Sequence, residues 1–266
     1  MDDSIITSAQ NPKIKKLIQL QLKSTERRKE DLFVVEGQRE LMHSIEAGYK
    51  VDTLFYCDNL IKDYSEIGDI ISSTKSFAVS ADVYEKIAYR GSTEGVIAEM
   101  NSRHTTLQEL HLKENPLIVV LESVEKPGNL GAVLRSADAA GADSVIVCDP
   151  LTDLYNPNLI RSSIGAIFSV PCVACSSEEC IEFLKNNKIT ILTAQLQDSE
   201  LYYETDMKRG VAIVIGTEAT GLTDAWRKAA DAHIRIPMLG KLDSLNASVS
   251  ASILLYEAVR QRKSRS

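Results

Sequence analysis

Five short apolar runs, Leu117–Leu121, Ser144–Cys148, Ile189–Thr193, Val211–Ile215 and His233–Ile236, recur through the second half of the chain, with helix-like segments between most of them. A run that is apolar throughout has two faces to bury, and helical crossovers between successive strands are what parallel pairing requires. This half is therefore expected to fold as a parallel α/β sheet covered on both sides. Ligands of such sheets bind beyond the C-terminal ends of the strands. The segments that leave these runs are accordingly where chemistry is to be sought.

The first half reads differently. Pro12–Leu22 carries Ile14, Leu17, Ile18 and Leu22 near helical spacing, Leu32–Val35 is a short β-prone run, and Gln38–Ala47 reads as a helix stopped by Gly48. Val51–Cys57 and Phe77–Val79 look like strands, Ala81–Tyr89 a helix and Gly95–Met100 a closing strand, which together make a small α/β sandwich. With 266 residues the chain is long enough for two cores. The polar stretch Asn101–Asn115, ending at Pro116 and holding at most a short helix around Leu107–Leu112, is the expected linker. The domains are thus 1–100 and 116–266, joined by 101–115.

No stretch approaches the roughly 18 unbroken apolar residues of a membrane span, and Met1–Gln10 lacks the basic start and apolar run of a secretory signal, so a cytosolic location is expected. Five cysteines (Cys57, Cys148, Cys172, Cys175, Cys180) form no disulfide framework. The Cys172–Cys175 spacing would want a second matching pair to hold zinc, only Cys180 lies nearby, and the four histidines show no ligand spacing; no metal is expected.

The net charge of −7 argues at first sight against a nucleic-acid partner. Its distribution argues the other way. Between Asn11 and Lys29 seven basic residues face one acid, Glu26, and the last seven residues add Arg260, Arg262, Lys263 and Arg265. Both ends are basic patches on an acidic body, which permits RNA binding; Lys13, Lys15, Lys16, Arg27 and Arg28 are the expected contacts. Two solvated helix faces would give the same composition.

Three segments leave strand ends in the second half. In Pro127–Asp138, Leu130, Val133, Leu134 and Ala137 form an apolar helix face from which Arg135 projects, while Gly128 and Gly131 allow close backbone approach. An ordinary surface helix, with Arg135 paired to Asp138, fits the same residues. The segment Val211–Leu222 opens a buried strand into a turn between Gly216 and Gly221 with Glu218 inside it; Thr223 or Asp224 could simply cap the next helix. Ile236–Ser248 leads into a long helix reaching about Arg262, for which Ser244 and Asn246 are both suitable caps. Val249, Ala251, Ile253, Leu254, Leu255, Ala258 and Val259 wrap most of that helix, so one side can pack on the sheet and the other needs a partner subunit.

Together the three segments resemble the SpoU/TrmH family of RNA 2′-O-methyltransferases, within the SPOUT superfamily. Asn129 and Arg135 match the first family motif at its spacing of six; Gly216, Glu218, Gly221 and Leu222 match the second, with Thr217 standing where Asn or Ser is more usual; Pro237, Met238, Ser244, Leu245, Asn246 and Ser248 match the third. Residues 1–100 are similar, less closely, to the substrate-binding domain of the rRNA-directed members, related in fold to ribosomal protein L30e.

The resemblance implies an L30e-like α/β sandwich followed by a parallel-sheet α/β domain with a trefoil knot, one of the exceptions to the rule against threaded chains. It further implies a homodimer with residues of both subunits at each site, S-adenosyl-L-methionine as cofactor, and methyl transfer to a ribose 2′-hydroxyl of structured RNA, 23S rRNA ahead of tRNA. It assigns Arg135, Asn129, Glu218 and Asn246 to catalysis. To the cofactor it assigns Thr193, Gly216, Thr217, Glu218, Gly221, Ile236, Met238, Ser244, Leu245 and Asn246. Since a guanidinium stays protonated in proteins, Arg135 is expected to hold phosphate and hydroxyl oxygens, with Asn129 holding it in turn. A tRNA-directed enzyme and a non-catalytic RNA-binding assembly factor are the alternatives. A nucleotide-dependent enzyme of another α/β fold lacks its G-x-x-x-x-G-K-S/T loop here.

Overall fold

The computed structural model describes residues 5–89, 94–217, 220–241 and 243–263. Contacts divide the chain into two compact units, Met1–Arg103 with Tyr155–Arg161, and His104–Leu154 with Ser162–Ser266. Where the sequence cuts the chain once, the contacts return a seven-residue segment to the first unit.

The first unit opens with α1 (Pro12–Leu22), whose N-terminus is set by Pro12 and by the Asn11 side chain accepting from the Lys13 amide. Ile14, Leu17 and Leu20 face the core; Leu22, expected there, is the last residue of the helix, lies about half a turn past Leu20 and is 69% exposed. α2 (Ser24–Glu30) follows, then β1 (Leu32–Glu36), α3 (Gln38–Glu46), β2 (Val51–Tyr56), α4 (Gly68–Ser73), β3 (Ser76–Ala78), α5 (Ala81–Ile87) and β4 (Val96–Asn101). The sheet order is β1-β4-β2-β3, antiparallel except for β2 with β3. Leu17, Leu20, Val34, Phe55, Val83, Tyr84 and Ile97 form its core. The segment Tyr155–Arg161 joins it through Tyr155, which stacks on Phe33 with ring centroids 4.2 Å apart.

The second unit begins with a short 3-10 turn, Leu107–Glu109, shorter than the expected helix and closed by a Thr106–Glu109 capping box. It contains β5 (Leu117–Glu122), α6 (Pro127–Ala140), β6 (Ser144–Cys148), α7 (Pro157–Ser163), which straddles the division, α8 (Ala166–Ser169), β7 (Cys172–Cys175) and α9 (Ser177–Asn186). β8 (Thr190–Ala194), β9 (Glu200–Leu201), β10 (Val211–Ile215), α10 (Asp224–Ala229), β11 (Ala232–Arg235) and α11 (Ala247–Lys263) complete it. The seven strands are all parallel in the order β7-β6-β5-β10-β8-β11-β9, so the five expected strands gain β7 and β9 at the edges.

Both sheet faces are covered, as apolar strands demand. On one, Ile118, Val120, Ile146, Ala212 and Val214 pack with Leu184 of α9 and Trp226 of α10. Alternate residues such as Val119, Val145 and Ile213, also buried, point the other way. There α6 and α11 pack on each other and on β5, β6 and β10. Ser136 and Ser252 share a hydrogen bond of 2.7 Å between these two helices. No helix among the described residues is long and apolar enough to cross a membrane.

Candidate functional site

Strand order alone brings the three segments together. α6 follows β5, the glycine turn follows β10, and the Ile236–Asn246 loop follows β11; β5-β10-β8-β11 are consecutive neighbours, all pointing the same way. Their C-terminal ends form one edge, and every motif leaves from it.

The first fastening is between motifs. Asn246 Nδ2 donates to Asn129 Oδ1 across 3.2 Å, joining residues 117 apart in sequence. Asn246 is also the cap of α11, its Oδ1 accepting from the Ser248 amide at 2.9 Å and the Ser248 hydroxyl at 2.6 Å. Of the two caps the sequence offers, Asn246 serves; Ser244 is exposed and donates only a long 3.4 Å bond to Asp243. Asn129 does not hold Arg135, contrary to expectation. Six residues along an α-helix are about 9 Å and about 240° of rotation, so the two side chains leave different faces.

Arg135 is exposed and has no hydrogen-bond or ion-pair partner among the described residues. The pairing with Asp138 is not formed; that carboxylate accepts from the Ser169 hydroxyl at 2.8 Å. Gly131, one turn earlier, is required by packing, since a Cβ there would overlap the Ser162 hydroxyl, whereas Gly128 has open space around it.

The second motif is built from backbone. A Cβ on Gly216 would overlap the Gly221 carbonyl and lie 2.6 Å from the Leu222 nitrogen, so no other residue fits where the chain doubles back. Gly221 takes a φ of +66° and its amide donates to the Thr217 carbonyl at 3.0 Å. Thr217, unusual for the motif, uses its hydroxyl to bond Thr220 at 2.8 Å across this turn. Glu218 lies outside the described residues. Thr193, fully buried at the end of β8, shares a 2.6 Å hydrogen bond with His233 Nδ1 of β11. Ile236 and Met238 are half-buried, Leu245 is exposed, and Leu239 is 96% exposed.

Sequence reasoning missed Glu122. Only 3% exposed at the end of β5, it accepts from the Thr223 amide at 2.9 Å and the Thr223 hydroxyl at 2.7 Å, tying the exit of the glycine turn to the strand that feeds α6. A carboxylate closing an otherwise apolar run was the available signal.

In the first unit the expected RNA contacts separate. Lys15 and Arg28 are exposed and unpaired among the described residues; Lys13 lies 4.7 Å over the Phe77 ring, and Lys16 bonds Glu99 at 3.2 Å. Arg27 is a correction: it is 4% exposed and donates to the carbonyls of Leu20 (2.6 Å) and Gln21 (3.2 Å), closing the end of α1 instead of facing solvent. Two cations of the C-terminal basic cluster are also engaged, while Arg265 lies outside the described residues. Arg260 pairs with Glu257, and Arg262 donates to the carbonyls of Met207, Asn115, Pro116 and Arg209. A separate cleft of about 250 Å³ in the first unit is lined by Glu36, Arg39, Glu40, Tyr89, Glu94 and Arg161, and no motif residue reaches it.

A glycine-bounded turn at parallel strand ends, beside a guanidinium with no partner among the described residues on the neighbouring helix, is the edge at which α/β proteins of this class bind their ligands. Residues 116–256 match the SpoU rRNA Methylase family and residues 11–98 the MRM3-like substrate binding domain; the chain belongs to the SpoU rRNA methylase family. It is 32% identical over 240 residues to the 23S rRNA (uridine(2479)-2′-O)-methyltransferase of Streptomyces viridochromogenes, covering 86% of this chain and 83% of that one. A crystal structure of an RNA 2′-O ribose methyltransferase is similar at 39% identity and a TM-score of 0.84, over 97% of this chain and 99% of that one. The AdoMet-bound rRNA methyltransferase of Sinorhizobium meliloti is similar at 28% identity and a TM-score of 0.89, over 97% of each chain.

Proposed function

We propose that this protein transfers a methyl group from S-adenosylmethionine to a ribose 2′-hydroxyl of 23S rRNA, acting in the cytosol as a homodimer. The observation that carries the reading is the meeting of three separately encoded segments at one sheet edge, fastened by the Asn246–Asn129 bond, in a chain of this family. The residues present fit the cofactor: Gly216 lets the chain double back tightly so that main-chain groups of the turn lie at the strand ends, and Ile236 and Met238 offer half-buried apolar surface beside it. S-adenosylmethionine, when bound, supplies an electrophilic methyl on a sulfonium.

The chain's own residues then have three tasks. The glycine turn, Thr193 and the Ile236–Asn246 loop hold the cofactor, Glu122 keeping the turn's exit fixed. Arg135, without a partner among the described residues, holds phosphate and 2′-hydroxyl oxygens of the target nucleotide and stabilises charge developing on the attacking oxygen. Asn129 and Asn246 set the register between α6, which carries Arg135, and the loop that carries the cofactor contacts. A guanidinium that is always protonated donates to the oxygen and does not take its proton.

The L30e-like unit binds the RNA, with Lys15 and Arg28, unpaired among the described residues, as contacts. The second copy covers the outer face of α11, where Val249 is 45% and Tyr256 50% exposed with Ile253 half-buried between them.

Mapping 2′-O-methyl positions in rRNA and tRNA of a deletion strain, with methyl transfer to the corresponding transcripts in vitro, tests the reading. One 23S rRNA position should lose its methyl group and regain it with the purified enzyme. Loss confined to tRNA would overturn the substrate, and failure to bind S-adenosylmethionine would overturn the enzyme. Sedimentation as a monomer at micromolar concentration would overturn the dimer.

A further inference from the structure

The methyltransfer site makes no use of the cysteines, yet the fold gathers three of them. Cys148 ends β6, Cys175 ends β7, and Cys180 lies in the second turn of α9; their sulfurs all lie within 4.8 Å of one another. Cys148 and Cys175 are register partners on adjacent parallel strands, and Cys180 reaches them because α9 starts two residues after β7 ends. Cys148 and Cys180 are fully buried, while Cys175 is half-buried and gives the group an outlet. Cys172, which the sequence spacing pairs with Cys175, is not part of it; its place is taken by Cys148, 27 residues away from Cys175.

We propose that Cys148, Cys175 and Cys180 form a three-thiolate site for one soft d10 cation, copper(I) or zinc(II). Three sulfurs at about 2.3 Å from one ion stand about 3.8 Å apart on a tetrahedron and about 4.0 Å apart in a planar triangle, so closure from the observed spacing needs side-chain shifts of under about 1 Å. All-sulfur ligation selects thiophilic ions over magnesium, calcium or manganese. The neighbouring carboxylates are engaged elsewhere. Asp149 Oδ2 accepts from the Ser177 hydroxyl at 2.6 Å and its amide at 3.2 Å, and Glu179 Oε2 accepts from the Ser176 amide and hydroxyl at 2.8 Å each. The ion is therefore three-coordinate as copper(I), or completed by solvent on the Cys175 side as zinc(II).

Binding exchanges three S–H protons, released to water, for three metal–sulfur bonds, with no change in oxidation state. The N-terminus of the ten-residue α9 lies beside the cluster and favours the resulting negative charge. The bound ion clamps the ends of β6 and β7 to α9, and α9 in turn contacts α10, whose Trp226 indole donates to the Ser177 hydroxyl at 2.9 Å.

The only tryptophan of the chain, Trp226, shares the core cluster with Cys148 and Cys180 and reports on the site. The reduced full-length protein is titrated separately with zinc(II) and with copper(I), reading Trp226 fluorescence, alkylation of thiols and the thermal midpoint. One ion per chain should bind, change the fluorescence, protect Cys175, the half-buried thiol of the three, from alkylation and raise the midpoint. Cys175→Ser, at the half-buried position, should weaken binding about 100-fold or more, whereas Cys172→Ser should bind as wild type. If the Cys175 variant folds poorly, protection mapped in the wild-type chain decides alone. Absence of binding by both ions, equal competition from magnesium, or protection of Cys172 in place of Cys175 would overturn the site.

Discussion

The 3.2 Å bond from Asn246 to Asn129 ties the cap of α11 to the first turn of α6, and one side chain thereby performs two separable tasks. Its Oδ1 caps the helix, and its Nδ2 sets the register of the helix bearing Arg135. Asn246→Asp keeps the acceptor for the Ser248 amide and removes the donor, so helix stability should be nearly retained while methyl transfer falls. Asn246→Ala should lose both, at a capping cost of about 1 kcal/mol. Thermal unfolding beside single-turnover methylation separates the two; full activity in Asn246→Asp would reduce Asn246 to a helix cap.

Much of this edge was legible before the fold, for a physical reason. Apolar runs with both faces to bury announce a parallel sheet, and glycines and caps at their exits announce where its loops turn. β7 escaped because an edge strand is buried on little of its length: in Cys172–Cys175 only Val173 is fully buried, so no apolar run marks it. Arg27 misled because charge is written in sequence and burial is not; two carbonyls at the end of α1 turn a cation inward. The thiol cluster and the asparagine bond join residues that only the sheet order makes neighbours. The knot implied by resemblance is a property of the whole chain path, to which no local pattern corresponds.

Gly216→Ala tests the glycine turn. Its Cβ meets the main chain of Gly221 and Leu222, not the end of a flexible side chain, so the turn must open. Overpacking of this kind costs about 1–3 kcal/mol. The variant should remain folded but lose S-adenosylmethionine affinity in calorimetry; unchanged affinity would mean the turn is only a connection.

The basic stretch divides into cations that can meet RNA and one that cannot. Lys15→Gln with Arg28→Gln should weaken RNA binding and flatten its salt dependence by about two counterions, leaving the melting curve and cofactor affinity unchanged. Arg27→Gln should instead lower stability, since buried carbonyls at the end of α1 lose their donor. Filter binding across a salt series, together with thermal melts, checks both. The reverse assignment would restore Arg27 to the RNA surface.

Burial raises the pKa of Glu99, with the Lys16 ammonium opposing it, and its Oε1 has no partner among the described residues. Burial likewise raises that of Glu36, against hydrogen bonds from the Tyr89 amide and Gln21 and the charge of Arg161. A carboxyl whose folded pKa lies above its unfolded value contributes stability that is complete below the unfolded pKa and is lost as pH rises through the folded one. The stability of the first unit should therefore decline upward from the ordinary carboxylate range. Glu99→Gln should reduce that slope, being more stable than wild type near pH 8 and indistinguishable from it near pH 4. A melting series in which the variant is less stable at the higher pH would show that the Lys16 pair outweighs the burial cost.

Arg135 is where a catalytic and a structural role give opposite outcomes. A guanidinium on an amphipathic helix normally finds a carboxylate one turn away, and Asp138 stands in that place, yet it accepts from Ser169 and leaves Arg135 without a partner among the described residues. Removing an exposed, unpaired cation costs little stability, so Arg135→Ala should melt within a fraction of a kcal/mol of wild type and bind cofactor normally. Loss of one preorganised contact to charge developing in the transition state costs on the order of 100-fold to 1,000-fold in rate. Arg135→Lys should also be poor, because an ammonium is a point charge that cannot hold phosphate and hydroxyl oxygens in one planar fork. Single-turnover methylation with saturating cofactor isolates the chemical step from binding. An Arg135→Ala enzyme within a few-fold of wild type would return Arg135 to the solvated face of α6 and move the stabilising charge to another residue of the site.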